Sequence, residues 1–243
     1  MKSLSVKSQL MIFLSSFALY LSFAQRDVLF PLMALIAVAG AVAADSLISF
    51  FKEKKFVLTE SSVISGLIIG FVLSGIYPWW MFLAASLFAI CSKHLLRVRE
   101  KHLFNPAACG IFLAMALLGA STQWRGVGLW YILLPAGIYF VSKIGKIEVV
   151  LGYLAAYFLL FGSQAIIQKT SLSGVILYQN FFFIFIMLIE PKTTPAAKKG
   201  KIVFGIAVAI LVFIFMQFRV KFDAEILSLL AVNAFAPLLN RIR

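Results

Sequence analysis

Long continuous apolar runs, separated by short loops rich in Lys and Arg, constrain this 243-residue chain more than any other feature. The runs are approximately Leu10–Phe23, Val28–Phe51, Ser61–Leu73, Trp79–Cys91, Pro106–Gly119, Leu129–Val141, Val149–Phe161, Val175–Ile189, Ile202–Phe218 and Ile226–Leu239. Their apolar residues are consecutive and do not alternate, which favours helices over a transmembrane β-barrel. Hydrophobic residues make up 63% of the chain and charged residues 13%, against roughly 25% charged in a soluble domain. A chain this apolar cannot cover its surface with polar atoms, so lipid is its solvent. In lipid every backbone donor and acceptor must find an internal partner. The expected fold class is all-α: a polytopic membrane helix bundle of about ten transmembrane helices in one integral membrane domain, residues 1–243. A straight crossing needs about 20 residues. The shorter runs are therefore expected to extend into their flanks or to be half-helices that enter the membrane and break.

A net charge of +13 raises the question of nucleic acid. The positions of the charges answer against it, because the cations sit in clusters between apolar runs, as they do where they fix topology. With ten spans, the loops around Lys2–Lys7, Lys52–Lys55, Lys93–Lys101, Lys143–Lys146, Lys192–Lys201 and Arg241–Arg243 share one side and hold seventeen of the 22 basic residues. The other side keeps Arg26, Arg125, Lys169, Arg219 and Lys221, together with all four Trp residues. The rich side is expected in the cytoplasm, with both termini, in the cell inner (cytoplasmic) membrane. The first run lacks a small-residue cleavage site before Gln25 and reads as a span, not a signal peptide. Halves at 1–124 and 125–243 would have opposite orientations, the arrangement of a five-plus-five inverted repeat. The third and eighth spans would then correspond, and both are followed by punctuation: Gly75 and Pro78 after one, Pro191 and Pro195 after the other.

Two stretches carry the chemistry. In the first, Lys93-His94-Leu95-Leu96-Arg97 leads to His102-Leu103-Phe104-Asn105-Pro106-Ala107. Asn is a good N-cap and Pro suits the first helical turn. The positive helix end, with His94 and Arg97 nearby, suits a phosphate or other anion, and an ordinary capped helix fits equally well. A single Asn-Pro-Ala does not make a water channel, which uses two. In the second stretch, Glu190-Pro191-Lys192-Thr193-Thr194-Pro195 interrupts the helix, and Thr193 and Thr194 supply hydroxyls and amides at the break. Glu190 ends an apolar run, where a carboxylate is costly and often functional. Asp45 lies within the second run, at a cost of about 2.5–3.5 kcal/mol if near the helix centre. It is a candidate for an ion path or for pairing with a Lys. Glu60 opens the third run and suits either an ion path or a helix start, and Glu148 does the same for the seventh. Gly66 and Gly70 form a small-residue face for close helix packing or for a flat cofactor.

His94 and His102 lie on a basic loop with no acidic or Cys cluster, so no metal site is read from them. Cys91 and Cys109 fall near the cytoplasmic ends of runs, where disulfides are not expected. A cluster shared with a partner chain or plain packing would each account for them. No P-loop, dinucleotide fingerprint or nucleophile–base pair is present.

Lys93-His94-Leu95, Phe104-Asn105-Pro106-Ala107, Glu190-Pro191-Lys192-Thr193-Thr194-Pro195, Lys199-Gly200-Lys201-Ile202-Val203-Phe204-Gly205 and Val232-Asn233-Ala234-Phe235-Ala236-Pro237-Leu238 together resemble one family, in order, from about Ser61 to the C-terminus. It is the family of the D component of Rnf electron-transport complexes and the B component of the sodium-pumping NADH:quinone reductase. The resemblance implies a ten-span inverted repeat similar in fold to urea transporters, and membership of a complex that couples electron transfer to Na+ or H+ movement. Other membrane subunits and a soluble flavin/Fe–S reductase are the implied partners. The family commonly attaches FMN covalently to the Thr of a Ser-Gly-Ala-Thr motif. That motif is absent here, and Gly119-Ala120-Ser121-Thr122 has the wrong order. The chain thus resembles a reduced branch, for which non-covalent FMN or another flavin, or none, is the expectation. Cofactor contacts are expected at His94, Arg97, Asn105, Pro106, Thr193 and Thr194, and an ion pathway at Asp45, Glu60 and Glu190. A stand-alone small-solute transporter and a non-catalytic anchor for a soluble reductase are the alternatives.

Overall fold

A computed structural model describes residues 4–54, 56, 58–98, 100–177 and 179–241. Lys2, Lys55, Arg99 and Arg243, which entered the charge comparison, lie outside the described residues. The helices in chain order are α1 (Val6–Gln25), α2 (Leu29–Glu53), α3 (Glu60–Val72), α4 (Trp79–Leu95), α5 (Pro106–Leu118), α6 (Trp130–Ile144), α7 (Ile147–Ile167), α8 (Leu172–Leu177), a π-helical turn (Phe183–Met187), α9 (Lys198–Gln217) and α10 (Ala224–Leu239). A hairpin of two-residue strands, β1 (Arg97–Val98) and β2 (Lys101–His102), joins α4 to α5. Four helices, α1, α2, α7 and α9, are long and apolar enough to cross a membrane, while α3, α4, α5, α6 and α10 are shorter apolar helices. Large side chains such as Phe23, Leu35, Leu117 and Leu159 are exposed along these helices. In water they would be an aggregation surface; in lipid they are the expected boundary. The protein is a polytopic helical membrane protein.

Nine of the ten apolar runs correspond to one helix each, and the eighth departs from expectation. Instead of one span over Val175–Ile189, the chain makes the six-residue α8, breaks, and restarts as a buried turn. The reason is local. The Asn180 side chain accepts the Phe183 N–H at 3.0 Å and so starts a new helical segment. That segment then winds with wider π spacing, Leu188 N–H reaching Phe183 O at 2.9 Å.

The chain divides into two compact units, Met1–Arg97 with Pro106–Gly126 and Val98–Asn105 with Val127–Arg243. In the first, α3 packs into α2 through glycines. A Cβ on Gly66 would sit 2.5 Å from the Val38 Cα, and one on Gly70 would sit 2.6 Å from the Ala34 Cα. Close helix packing thus accounts for this small-residue face. The helix α3 stops after only 13 residues, and its last carbonyls are not left bare. Gln123 N–H donates to Val72 O at 2.8 Å and Arg125 N–H to Phe71 O at 2.7 Å, while Ser74 N–H reaches Ser121 O at 3.0 Å. The segment after α5 therefore supplies donors to the last carbonyls of α3. Asp27 fastens the same region. Its Oδ1 accepts the Leu29 and Phe30 amides at 3.1 Å each, and its Oδ2 accepts from Arg125 at 2.6 Å. Arg125 also stands over the Phe30 ring, 4.7 Å from its centroid.

In the second unit, α7 and α9 approach closely: a Cβ on Gly152 would lie 2.5 Å from Ile202 O. Likewise α10 meets α9 where a Cβ on Gly200 would lie 2.5 Å from Leu239 O. Phe182, Phe183 and Ile184 at the π turn are fully buried, with Tyr153 of α7 and Phe204 of α9 also in the core.

Candidate functional site

Each unit carries a buried polar cluster. In the first unit it centres on Asp45, 1% exposed within α2. Lys93 Nζ lies 3.0 and 2.9 Å from its two carboxylate oxygens, and His94 Nε2 lies 2.7 Å from Oδ1. Thr59 Oγ1 donates to Oδ2 at 2.5 Å. The same hydroxyl accepts the Ser62 N–H at 3.2 Å and so caps α3. One threonine therefore ties the start of α3 to a carboxylate on α2. Lys93 also reaches Ser61 Oγ at 3.0 Å. The neighbours Lys93 and His94 come from the last turn of α4, where cations suit the helix dipole. The Lys that pairs with Asp45 thus comes from a different helix. Glu60 stands apart from this cluster, its carboxylate accepting from Ser5 Oγ and Ser8 Oγ at the start of α1.

In the second unit, the break after Glu190 organises the cluster. His102 Nε2 meets Glu190 Oε1 at 2.8 Å. The Thr194 hydroxyl and N–H both donate to Glu190 O, at 2.8 and 3.2 Å. Asn233 of α10 donates from Nδ2 to Thr193 O at 3.3 Å, and its Oδ1 accepts the Asn105 N–H at 3.0 Å. Asn105 Nδ2 in turn donates to Met187 O at 3.2 Å. Asn105, Thr193, Thr194 and Asn233 are all buried. Lys146, only 5% exposed, donates to Pro195 O at 2.7 Å and Thr194 O at 3.3 Å. Burial, with Lys201 and Lys101 as like charges, drives its pKa down to about 8 despite Glu148.

Beside this knot lies a cavity of about 730 Å³, walled by Lys101, His102, Lys192, Thr193, Thr194, Asn240 and Arg241 among others. Its apolar walls are Val98, Leu103, Ala236 and Pro237. The structure thus brings Asn105, Glu190, Thr193 and Thr194 together, as the two sequence stretches suggest. His94 Nε2 is engaged with Asp45, Arg97 is exposed on β1, and Pro106 opens α5 in the first-turn place that suits a proline. Lys101, Lys146 and Arg241 escape a reading of the sequence, where they look like any other loop cation. Asn233 is visible there only through the resemblance. Cys91 and Cys109 are free thiols. Among the described residues no group of three His, Cys, Asp or Glu side chains is placed to hold a metal ion.

A multi-pass α-helical membrane protein, with ionisable clusters at its helix breaks, is the class that this fold and these sites define. A family model described as the NQR2, RnfD, RnfE family matches residues 2–128 and 116–243. This chain belongs to that family. One relative is the D component of the ion-translocating oxidoreductase complex of Shewanella sediminis (strain HAW-EB3), 21% identical over 294 residues that cover 86% of this chain and 83% of the relative. The protein of the same name from Methanosarcina acetivorans is 23% identical over 228 residues, covering 84% and 78%. That of Aeromonas salmonicida (strain A449) is 30% identical over 95 residues, covering 37% and 27%.

Proposed function

We propose that this chain is a membrane component of a redox-driven, ion-translocating electron-transport complex, in the position that the D component holds in its relatives. The observation that carries this reading is the family match across both 2–128 and 116–243. The basic loops and both termini would face the cytoplasm, in the inner membrane, by the positive-inside rule. The stretches 1–124 and 125–243 would be the halves of an inverted repeat. Neighbouring membrane proteins of the complex, and a soluble flavin/Fe–S reductase drawn to the basic face, are the partners this reading needs. Asp45, Glu60 and Glu190 are its candidate cation-path carboxylates.

The cavity beside Thr193 and Thr194 would take an anionic, phosphate-bearing ligand, for which non-covalent FMN is the family candidate. At the phosphate end Lys101, Lys192 and Arg241 supply three cations against the one carboxylate of Glu100, and the two Thr residues and Asn240 supply polar groups. Its size lies within the roughly 300–1,000 Å³ usual for small-molecule sites. Among the described residues no Phe, Tyr or Trp lines it, so a flavin ring would lie against Leu103, Ala236 and Pro237. A bound flavin would supply electron transfer at that place. The chain's own contribution is to neutralise the phosphate, to hold a proton between His102 Nε2 and Glu190 Oε1, and to keep the break rigid through Asn233 and Asn105. His94, Arg97 and Pro106 belong to the first unit, where they would shape the ends of the flanking loop.

Titration of the purified chain with FMN, read by flavin fluorescence, tests the cavity. Saturable binding, weakened about tenfold or more in K192A/R241A, is the expected result. Binding that is absent, or indifferent to both cations, removes flavin from this cavity. Reconstitution of the chain alone in liposomes tests the larger reading: solute flux without a redox partner would move the assignment to a stand-alone transporter.

A further inference from the structure

In the second unit, the backbone from Thr193 to Ala196 lies outside any helix, and side chains from elsewhere in the chain hold it. Asn233 Nδ2 donates to Thr193 O at 3.3 Å, and Ala196 N–H donates to Asn240 Oδ1 at 2.8 Å. Between them, the carbonyls of Thr194 and Pro195 both accept from Lys146 Nζ, at 3.3 and 2.7 Å. Two adjacent carbonyls thus share one ammonium. The backbone of Lys146 is itself fixed on both sides. The helix α6 ends on Gly145 in the left-handed conformation, at φ 70°, and Lys146 N–H then donates to Val141 O at 3.1 Å. Its own carbonyl accepts the Val149 N–H at 3.1 Å and so opens α7. The residue is buried.

This arrangement adjoins the cavity at two places. Thr193 and Thr194 form part of the cavity wall, and Lys101 forms another part. Lys101 acts on Lys146 as a like charge, as does Lys201 from α9, while Glu148 on α7 opposes them. Glu100, Lys192 and Arg241 are the other charges on the cavity wall, and the His102–Glu190 pair is tied to Thr194 through Glu190 O. Burial is the strongest influence on Lys146 and, with the two like charges, brings its pKa to about 8. An anion held by Lys101 would offset one of those like charges and favour the proton on Lys146. By reciprocity, the proton on Lys146 favours the anion. A charged donor also makes the stronger bond to a carbonyl, so the wall is held most firmly while the ammonium persists.

We propose that Lys146 is the positioning residue of this cavity: its ammonium fixes the Thr193–Thr194 wall through the Thr194 and Pro195 carbonyls, and anion binding depends on Lys146 keeping its proton. This rests on the reading of the cavity as an anion site and adds the regulation of that site by pH.

Titration of the full chain in nanodiscs with FMN, from pH 7 to pH 9, tests it, with flavin fluorescence reporting binding and Trp fluorescence reporting Tm. The second phosphate ionisation, near about pH 6, is complete before this window opens. Wild-type affinity is expected to fall about threefold across the window as Lys146 loses its proton. Over the upper half of the same window Tm is expected to rise, because a buried charge is relieved. Weaker binding together with higher stability separates the effect from unfolding. K146M is expected to bind more weakly at pH 7 and to show no fall. K146R, whose charge persists throughout, is expected to restore binding at pH 7 and to keep it at pH 9. A fall of wild-type size in K146M or K146R, or wild-type affinity of K146M at pH 7, overturns the role of Lys146 and leaves the cavity standing. Absence of saturable binding by the wild-type chain at every pH removes the cavity, and this role with it.

Discussion

Lys93 Nζ bridges both oxygens of Asp45, at 3.0 and 2.9 Å, from a helix 48 residues further along the chain. The pair holds α2 to α4, and Thr59 adds α3 to the same knot. A buried charge is tolerated in a membrane when it is paired in this way. Breaking such a pair by removing one partner costs about 3–5 kcal/mol, because the other charge stays buried and alone. K93M is therefore expected to lower the Tm of the purified protein by several degrees, with D45N/K93M less damaging than K93M alone. Equal loss in the single and double variants would show that the two residues are not coupled.

Lys146 gives a pH dependence with a defined sign. Its folded-state pKa is depressed to about 8, from an ordinary value of 10.5, by burial first and by Lys201 and Lys101 after it. Between those values the unfolded chain binds more protons than the folded one, so stability rises with pH across that window. Below pH 8 the native state carries the full cost of the buried charge, on the order of 3 kcal/mol. Tm measured from pH 7 to pH 10.5 is expected to show a rising component in the wild-type protein that is missing in K146M.

Asp27 has the opposite sense. Burial pushes its carboxyl up, but the bond from Arg125 and the Phe30 and Leu29 amides outweigh this and hold it below 3.8. Its contribution is present above the unfolded carboxylate value and is lost as pH falls through the lower folded one. R125M is expected to flatten the acid limb of the stability profile below about pH 4. An unchanged limb would mean that the pair is screened by solvent.

Gly66 and Gly70 let the α3 backbone touch α2. A Cβ at Gly66 would meet backbone atoms of Val38 and Ala37 at 2.5–2.9 Å, and backbone cannot step aside as a side chain can. G66V is expected to cost about 2–4 kcal/mol or to prevent folding, while G162A, which has open space around it, is expected to be neutral. Expression and monodispersity of the two variants in detergent separate these outcomes.

The helical membrane class is legible from run length and loop charge, because lipid leaves the backbone few options. The small-residue face of α3 is readable for the same reason. The break in the eighth run is only half visible. Pro191 and Pro195 announce its far end, but its near end depends on the side chain of Asn180 finding an amide three residues on. Among the site residues, Glu190, Thr193 and Thr194 can be picked out because they are neighbours in sequence. Their partners His102, Lys146 and Asn233 come from positions 40 to 88 residues away. No local pattern distinguishes Lys146 from the other cations of its loop; burial alone does, and burial is a property of the fold.

Cation uptake driven by a reductant, measured in inverted membrane vesicles from cells lacking the chain, decides whether it works inside a complex that couples electron transfer to ion movement. Reductant-driven uptake is expected to collapse without the chain and to return with the wild-type protein. Uptake that persists at the wild-type rate in its absence would contradict that role.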